Sequence, residues 1–173
     1  MRIRTLAFLL GAISAAFADS RAELKTVASV DLNRYLGRWY EIARYPNRFE
    51  KDCVADVTAQ YNLRPDGTIE VVNSCRQADG KMKISKGSAK VADKQTNAKL
   101  KVTFFWPFYG NYWIIDLDPG YRYAVVSEPG RDYLWILSRT PKLEPDIYDA
   151  ISKKLRESGF DPSRLIRPPQ NTG

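Results

Sequence analysis

Cys53 and Cys75 are the only thiols in the chain, and no histidine accompanies them. Without imidazole there is no Ser-His-Asp triad, no Cys-His pair and no His-ligated zinc, copper or haem, which excludes most hydrolase and metalloenzyme chemistry. The two thiols could act as a free nucleophile or be joined as a disulfide. No catalytic residue, metal site or cofactor is expected. Glu41 shares the strand parity of Trp39 and so is expected to point inward, where a carboxylate needs a hydrogen-bonding partner.

The elements that must position these residues are short. Residues 37–139 break into eight alternating segments, at 37–45, 53–63, 68–75, 81–91, 98–106, 111–118, 121–128 and 133–139. The clearest is the second, whose odd positions from Cys53 through Ala55, Val57, Ala59 and Tyr61 to Leu63 are apolar while polar residues lie between them. The turn Arg64-Pro65-Asp66-Gly67 joins it to a strand with Ile69, Val71 and Cys75 facing the same way, forming a hairpin. No joint is long enough for a parallel crossover, so the fold expected is all-β and antiparallel. One helix follows, starting at Pro145 and stopped by Gly159, with Ile147, Ala150, Ile151 and Leu155 on one face. The segment Tyr133 to Ser138 is apolar on both parities and needs an outside cover, which this helix can supply. A last extended piece, Leu165 to Pro169, is expected to pair at an edge.

Arg2 and Arg4, an apolar run from Leu6 to Ala18 and the small-x-small pattern Ala16-Phe17-Ala18 read as a secretory leader, residues 1–18, ahead of a single domain at 19–173. The run falls short of the ~20 residues a spanning helix needs. Asp19, and not a cysteine, follows the cut, so a soluble, exported chain without a lipid anchor is expected. Export, an even cysteine count and shared inward parity favour a bridge between Cys53 and Cys75. One point opposes it. With 63 and 69 paired, Cys75 faces position 57, ~13 Å along a regular strand from Cys53, whereas bridged Cα atoms lie within ~7 Å. A bulge or a fold-back near Asp52 must close that gap.

The formal net charge is +7, two units of it on Arg2 and Arg4, and the lysines are spaced singly, as on solvated strand faces. A nucleic-acid partner is not expected; peripheral contact with an anionic membrane surface is the better use of this charge.

Three ordered blocks narrow the fold. Leu36-Gly37-Arg38-Trp39-Tyr40-Glu41-Ile42-Ala43-Arg44 resembles the Gly-x-Trp-Tyr segment that opens lipocalins. Asp118 to Val126 resembles their second block, and Leu134 to Pro141 their third. With Phe104-Phe105-Trp106-Pro107-Phe108-Tyr109-Gly110 added, the resemblance is to the bacterial lipocalin and apolipoprotein D branch. It implies an eight-stranded up-and-down barrel with one helix outside, closed at the end where Gly37 and Trp39 meet Arg139. It also implies a protein that is not an enzyme, but stores or transports fatty acids or lysophospholipids in the cell envelope. Two alternatives stay open: a lipid-converting relative using a pocket thiol, and a module that binds something other than lipid. Bacterial lipocalins are commonly outer-membrane lipoproteins, a pattern from which Asp19 departs.

Inside such a barrel, parity assigns Ala43, Ala59, Tyr61, Val71 and Ala89 to the lipid-binding lining, with Val102, Phe104, Trp113 and Tyr123 from later strands. The small residues Ala43, Ala55, Ala59, Gly87 and Ala89 are expected to leave room for one ligand. The mouth loops are 45–52, 76–80, 106–111 and 128–132. Trp106, Phe108 and Tyr109 in one and Phe49 in another are read as ligand, membrane or partner contacts, or as aromatics folded down to cap the core.

Overall fold

A computed structural model describes residues 22–171, so the leader expected at residues 1–18 lies outside the described residues. Eight antiparallel strands close into a barrel in sequence order. They are β1 Gly37–Arg44, β2 Ala55–Leu63, β3 Ile69–Arg76, β4 Met82–Val91, β5 Lys99–Phe105, β6 Phe108–Leu117, β7 Tyr123–Ser127 and β8 Leu134–Ser138. A one-turn helix, α1 Leu32–Tyr35, precedes the barrel, and α2 Pro145–Glu157 follows it. Asp31 caps α1 through its side chain, and Gly159 takes a left-handed φ of 80° just past α2.

α1 covers one end. Val30 N–H donates to Thr96 O and Arg34 Nη2 to Pro119 O, tying the lead-in across the turns that join β4 to β5 and β6 to β7. The other end carries the loops after β1, β3, β5 and β7 and is the mouth.

Apolar residues divide into two layers. Trp39, Tyr61, Val71, Ala89, Leu100, Ile114, Ala124, Val126 and Leu137 fill the interior. Ile42, Ala43, Val125, Leu134 and Ile136 face outward, beneath Ile151 and Leu155 of α2. The helix is thus the cover that β8 required. Its buried face runs through Ile151, Ser152 and Leu155, with Ile147 and Tyr148 packed alongside, whereas Ala150 is exposed.

Bulges interrupt four strand pairs, one of them β5–β6 between Val102 and Phe105. Between Glu41 and Ala43 the β1–β8 register shifts, so Ile42 and Ala43 both lie outward and Arg44, opposite Trp135, turns inward. In β6 the shift between Ile114 and Asp116 leaves Ile115 without a partner on β7. In β2 the shift between Ala55 and Thr58 sets Asp56 and Val57 against Cys75, with Asp56 at φ 53°. That bulge shortens the gap to Cys53 by one position, and the chain leaves the ladder ahead of Ala55, with Cys53 N–H donating back to Glu50 O, so the Cys53–Cys75 disulfide forms with Cα atoms 5.5 Å apart.

β1 and β2 pair only from Gly37 to Tyr40. Beyond that point the C-terminal segment fills the seam: Arg44 and Ile166 exchange backbone bonds, Asp56 N–H donates to Pro169 O, and the Gln170 amide donates to Glu41 O and Val57 O. The extended piece pairs inside the wall, not at an edge.

Candidate functional site

The interior changes character with depth. At the closed end Trp39 is fully buried, its Nε1 donating to Tyr35 O at 2.8 Å, and Arg139 lies over its outer face. Gly37 sits there at φ 90°, a conformation that favours glycine, and a Cβ at this position would fall 3.5 Å from Arg139 Nη1. Above this floor, Ala59, Val102, Tyr112 and Trp135 pack on the interior core yet keep part of their surface exposed. Residues that point into a barrel and still meet solvent line a lumen. Of the expected lining, Ala59, Tyr61, Val71, Ala89 and Val102 belong to this interior, although Ala89 and Val71 are packed tightly against it.

Three expected lining residues do not reach the lumen. Ala43 is turned outward by the β1 bulge and packs in the layer beneath α2. Trp113 faces outward opposite Ser127, under Lys99 Nζ at 4.2 Å, while its neighbours Tyr112 and Ile114 take the inward positions. Tyr123 also lies outside, its hydroxyl 3.4 Å from Asp116 Oδ2, beside the Lys154–Asp116 ion pair that ties α2 to the wall. Phe104 keeps an inward position but is more than a third exposed near the mouth. Gly87 is not spare volume, because a Cβ there would fall 2.5 Å from Thr103 O and 2.9 Å from the Phe104 ring.

Two polar groups line the interior. The first is built around Arg44, whose Nη1 donates to Glu41 Oε1 at 2.6 Å and whose Nη2 donates to Cys53 O and Glu50 O. Glu50 Oε2 accepts from Trp135 Nε1 at 3.0 Å and from Asn47 Nδ2 at 2.6 Å. Arg44 therefore pins the mouth loop between β1 and β2 to the inner wall. Burial, with the negative charge of Glu50, pushes the Glu41 carboxyl well above the usual carboxylate range, and Arg44 offsets this only in part. Glu41 is inward, as its parity indicated, with its partner supplied by the protein.

The second group is a trio of phenols. Tyr112 Oη lies 2.8 Å from Tyr35 Oη and 2.9 Å from Tyr61 Oη. Burial pushes Tyr61 up to about 12 and the other two well above the ordinary phenol value, so all three are neutral at physiological pH. Tyr35, Tyr112, Arg44 and Glu50 had no signal in the strand pattern: two depend on bulged or ambiguous parity, one on the lead-in helix and one on a loop.

At the mouth, β6 starts three residues earlier than expected, at Phe108, and β5 ends at Phe105. They are joined by the two-residue turn Trp106-Pro107, with Phe105 paired to Phe108, so the aromatics stand on a projecting hairpin tip and not in a loop. Phe105 and Trp106 are each 81% exposed and Phe108 78%; none folds down to cap the core. Lys90 Nζ lies 4.5 Å over the Tyr109 ring, Met82 and Ile84 are exposed on β4, and Phe49, also exposed, packs on Tyr133 in the neighbouring loops. Among the described residues no helix is long and apolar enough to cross a membrane.

Residues 30–170 match the family model described as a lipocalin-like domain. The chain is 42% identical over 159 residues to temperature-induced lipocalin-1 of Arabidopsis thaliana, covering 87% of this chain and 85% of that protein. It is 44% identical over 163 residues to the outer membrane lipoprotein Blc of Escherichia coli K12, covering 94% and 90%. Mouse apolipoprotein D is 37% identical over 150 residues, covering 81% and 77%. With its closed barrel, outer helix and Trp39–Arg139 pair, the chain belongs to the lipocalin family, on the branch that holds the bacterial Blc lipoproteins and apolipoprotein D.

Proposed function

We propose that this lipocalin binds single-chain lipids, fatty acids or lysophospholipids, in its lumen and stores or carries them in the cell envelope. The observation that carries this reading is the ring of inward-facing yet partly exposed residues, Ala59, Val102, Tyr112 and Trp135, above a tightly packed floor. Binding there is driven by area: at ~25 cal/mol per Å² of apolar surface, an acyl chain reaches micromolar affinity with few polar contacts. The outer-membrane naming of the Blc relatives supports an exported role. Both cysteines are joined to one another, which leaves a pocket-thiol enzyme without its nucleophile and supports binding over conversion.

The same lipocalin collects its cargo at a membrane. The hairpin tip places Phe105, Trp106 and Phe108 in water beside the lumen mouth, with Lys90 over the ring of Tyr109 on the same hairpin, an arrangement that fits a peripheral contact with an anionic lipid surface. Native mass spectrometry of protein purified from its own host without detergent tests the cargo. The expected spectrum carries a single-chain amphiphile; a bare chain that also fails to take up palmitate or lysophosphatidylcholine on titration contradicts the reading.

A further inference from the structure

Three phenol hydroxyls share two hydrogen bonds where the packed floor gives way to the lumen. Each hydroxyl carries one proton, so two mutual bonds use two protons and leave one over. The result does not depend on which way the protons point: a row of hydroxyls joined end to end always has one proton more than it has bonds. Among the described residues no other acceptor meets Tyr35, Tyr61 or Tyr112 Oη. A buried O–H with nothing to donate to is costly, so the floor of the lumen holds an unanswered donor.

The surroundings select what can answer it. An ionised carboxylate or phosphate at this depth needs a cation, and neither Arg139 below the floor nor Arg44 toward the mouth is free to supply one. Arg44 is held by Glu41 and by the loop carbonyls of Glu50 and Cys53. Arg139 lies over Trp39 and donates to Arg38 O and Arg34 O on the far side of the indole. Glu50 adds negative charge near Tyr61. An anionic headgroup is therefore disfavoured at the floor, and an apolar chain end leaves the donor unmet. An uncharged oxygen does neither.

We infer that the Tyr35–Tyr61–Tyr112 trio is a binding subsite for an uncharged carbonyl oxygen, that of an acyl ester, carried at the inner end of an otherwise apolar ligand. This rests on the lipid-binding reading above and deepens it: neutral esters enter carbonyl first and bond to the trio, whereas lipids with charged heads keep those heads at the mouth.

Methyl palmitate labelled with ¹³C at its carbonyl tests the subsite, because the ester is its only polar group. In the infrared spectrum of the wild-type complex the labelled carbonyl band is expected at lower wavenumber than in dry hexadecane. The combined variant Tyr35→Phe, Tyr61→Phe and Tyr112→Phe removes the shift and weakens ester binding about fivefold. Tyr61→Phe alone leaves two hydroxyls, one bond and one spare proton, so it keeps the shifted band. The wild-type spectrum decides even where the triple variant does not fold. An unshifted wild-type band overturns the subsite, as does a shift that survives in the folded triple variant. Palmitate separates the two readings: an ester that fails to bind where palmitate binds overturns the subsite alone, and failure of both overturns the lipid-binding reading with it.

Discussion

The guanidinium carbon of Arg139 lies 3.7 Å from the centroid of the Trp39 indole, joining the end of β8 to the start of β1. On the other side, Trp39 Nε1 donates to Tyr35 O, and the Tyr35 ring lies 5.1 Å from the indole. One buried tryptophan thus holds together the closing strand pair, the capping helix and a member of the phenol trio. Arg139 extends the tie by donating to the carbonyls of Arg34 and Arg38.

Trp39→Ala is expected to cost ~3–5 kcal/mol, a large share of a single domain's stability. Arg139→Ala loses a cation–π contact of ~0.5–2 kcal/mol and leaves two carbonyls to water, a smaller effect. Urea denaturation should rank the variants in that order, with ligand selectivity unchanged in Arg139→Ala. Wild-type stability in both would mean that this pair does not close the barrel.

Asp118 responds to acid in a defined direction. Hydrogen bonds from Arg122, helped by backbone N–H groups of Arg122 and Gly120, hold its carboxyl down at about 2. A folded-state value below the unfolded one contributes stability that is present above the unfolded pKa and lost as pH falls through the folded value. The contribution is therefore full at neutral pH and disappears between about pH 4 and pH 2. Asp118→Asn should lower the melting temperature at pH 7, and the gap to wild type should close by pH 2. A gap that stays constant with pH would assign the loss to packing.

The hairpin tip makes little contact with the rest of the protein, so its substitution separates membrane contact from folding. Phe105→Ser, Trp106→Ser and Phe108→Ser together should reduce sedimentation with phosphatidylglycerol vesicles severalfold and leave the melting temperature within a few degrees. Trp106 fluorescence in the wild type should shift to the blue on adding those vesicles, less so in high salt. Equal vesicle binding by wild type and variant would remove the tip from any membrane role.

The barrel was legible in the chain because turn residues punctuate it and β2 alternates cleanly from Ala59 to Leu63. The closed-end pair was legible too, since an even number of antiparallel strands returns Arg139 to the end where Trp39 starts. Bulges were not. Whether Ile42 or Ile115 carries an unpaired backbone depends on the partner strand, and each shift reverses every side chain beyond it. β6 is apolar on both faces, with Tyr112 and Ile114 alternating with Trp113 and Ile115, so alternation had no means of choosing the inward set. The phenol trio joins α1, β2 and β6, three elements that only the folded barrel brings together.

Ala59 and Ala89 separate an open lumen from a filled barrel. Ala59 keeps exposed surface inside the barrel, whereas Ala89 is packed among Ile69, Val71 and Leu100. Ala89→Phe is therefore expected to overpack the core and cost ~1–3 kcal/mol or more. Ala59→Phe fills accessible volume and should leave the melting temperature near that of wild type. The deciding measurement is calorimetric titration of palmitate into wild type and Ala59→Phe. Micromolar binding by wild type that weakens at least about tenfold in a stably folded Ala59→Phe is the expected result. Absence of binding by the wild type, or equal affinity in both proteins, would contradict a lipid site in this lumen.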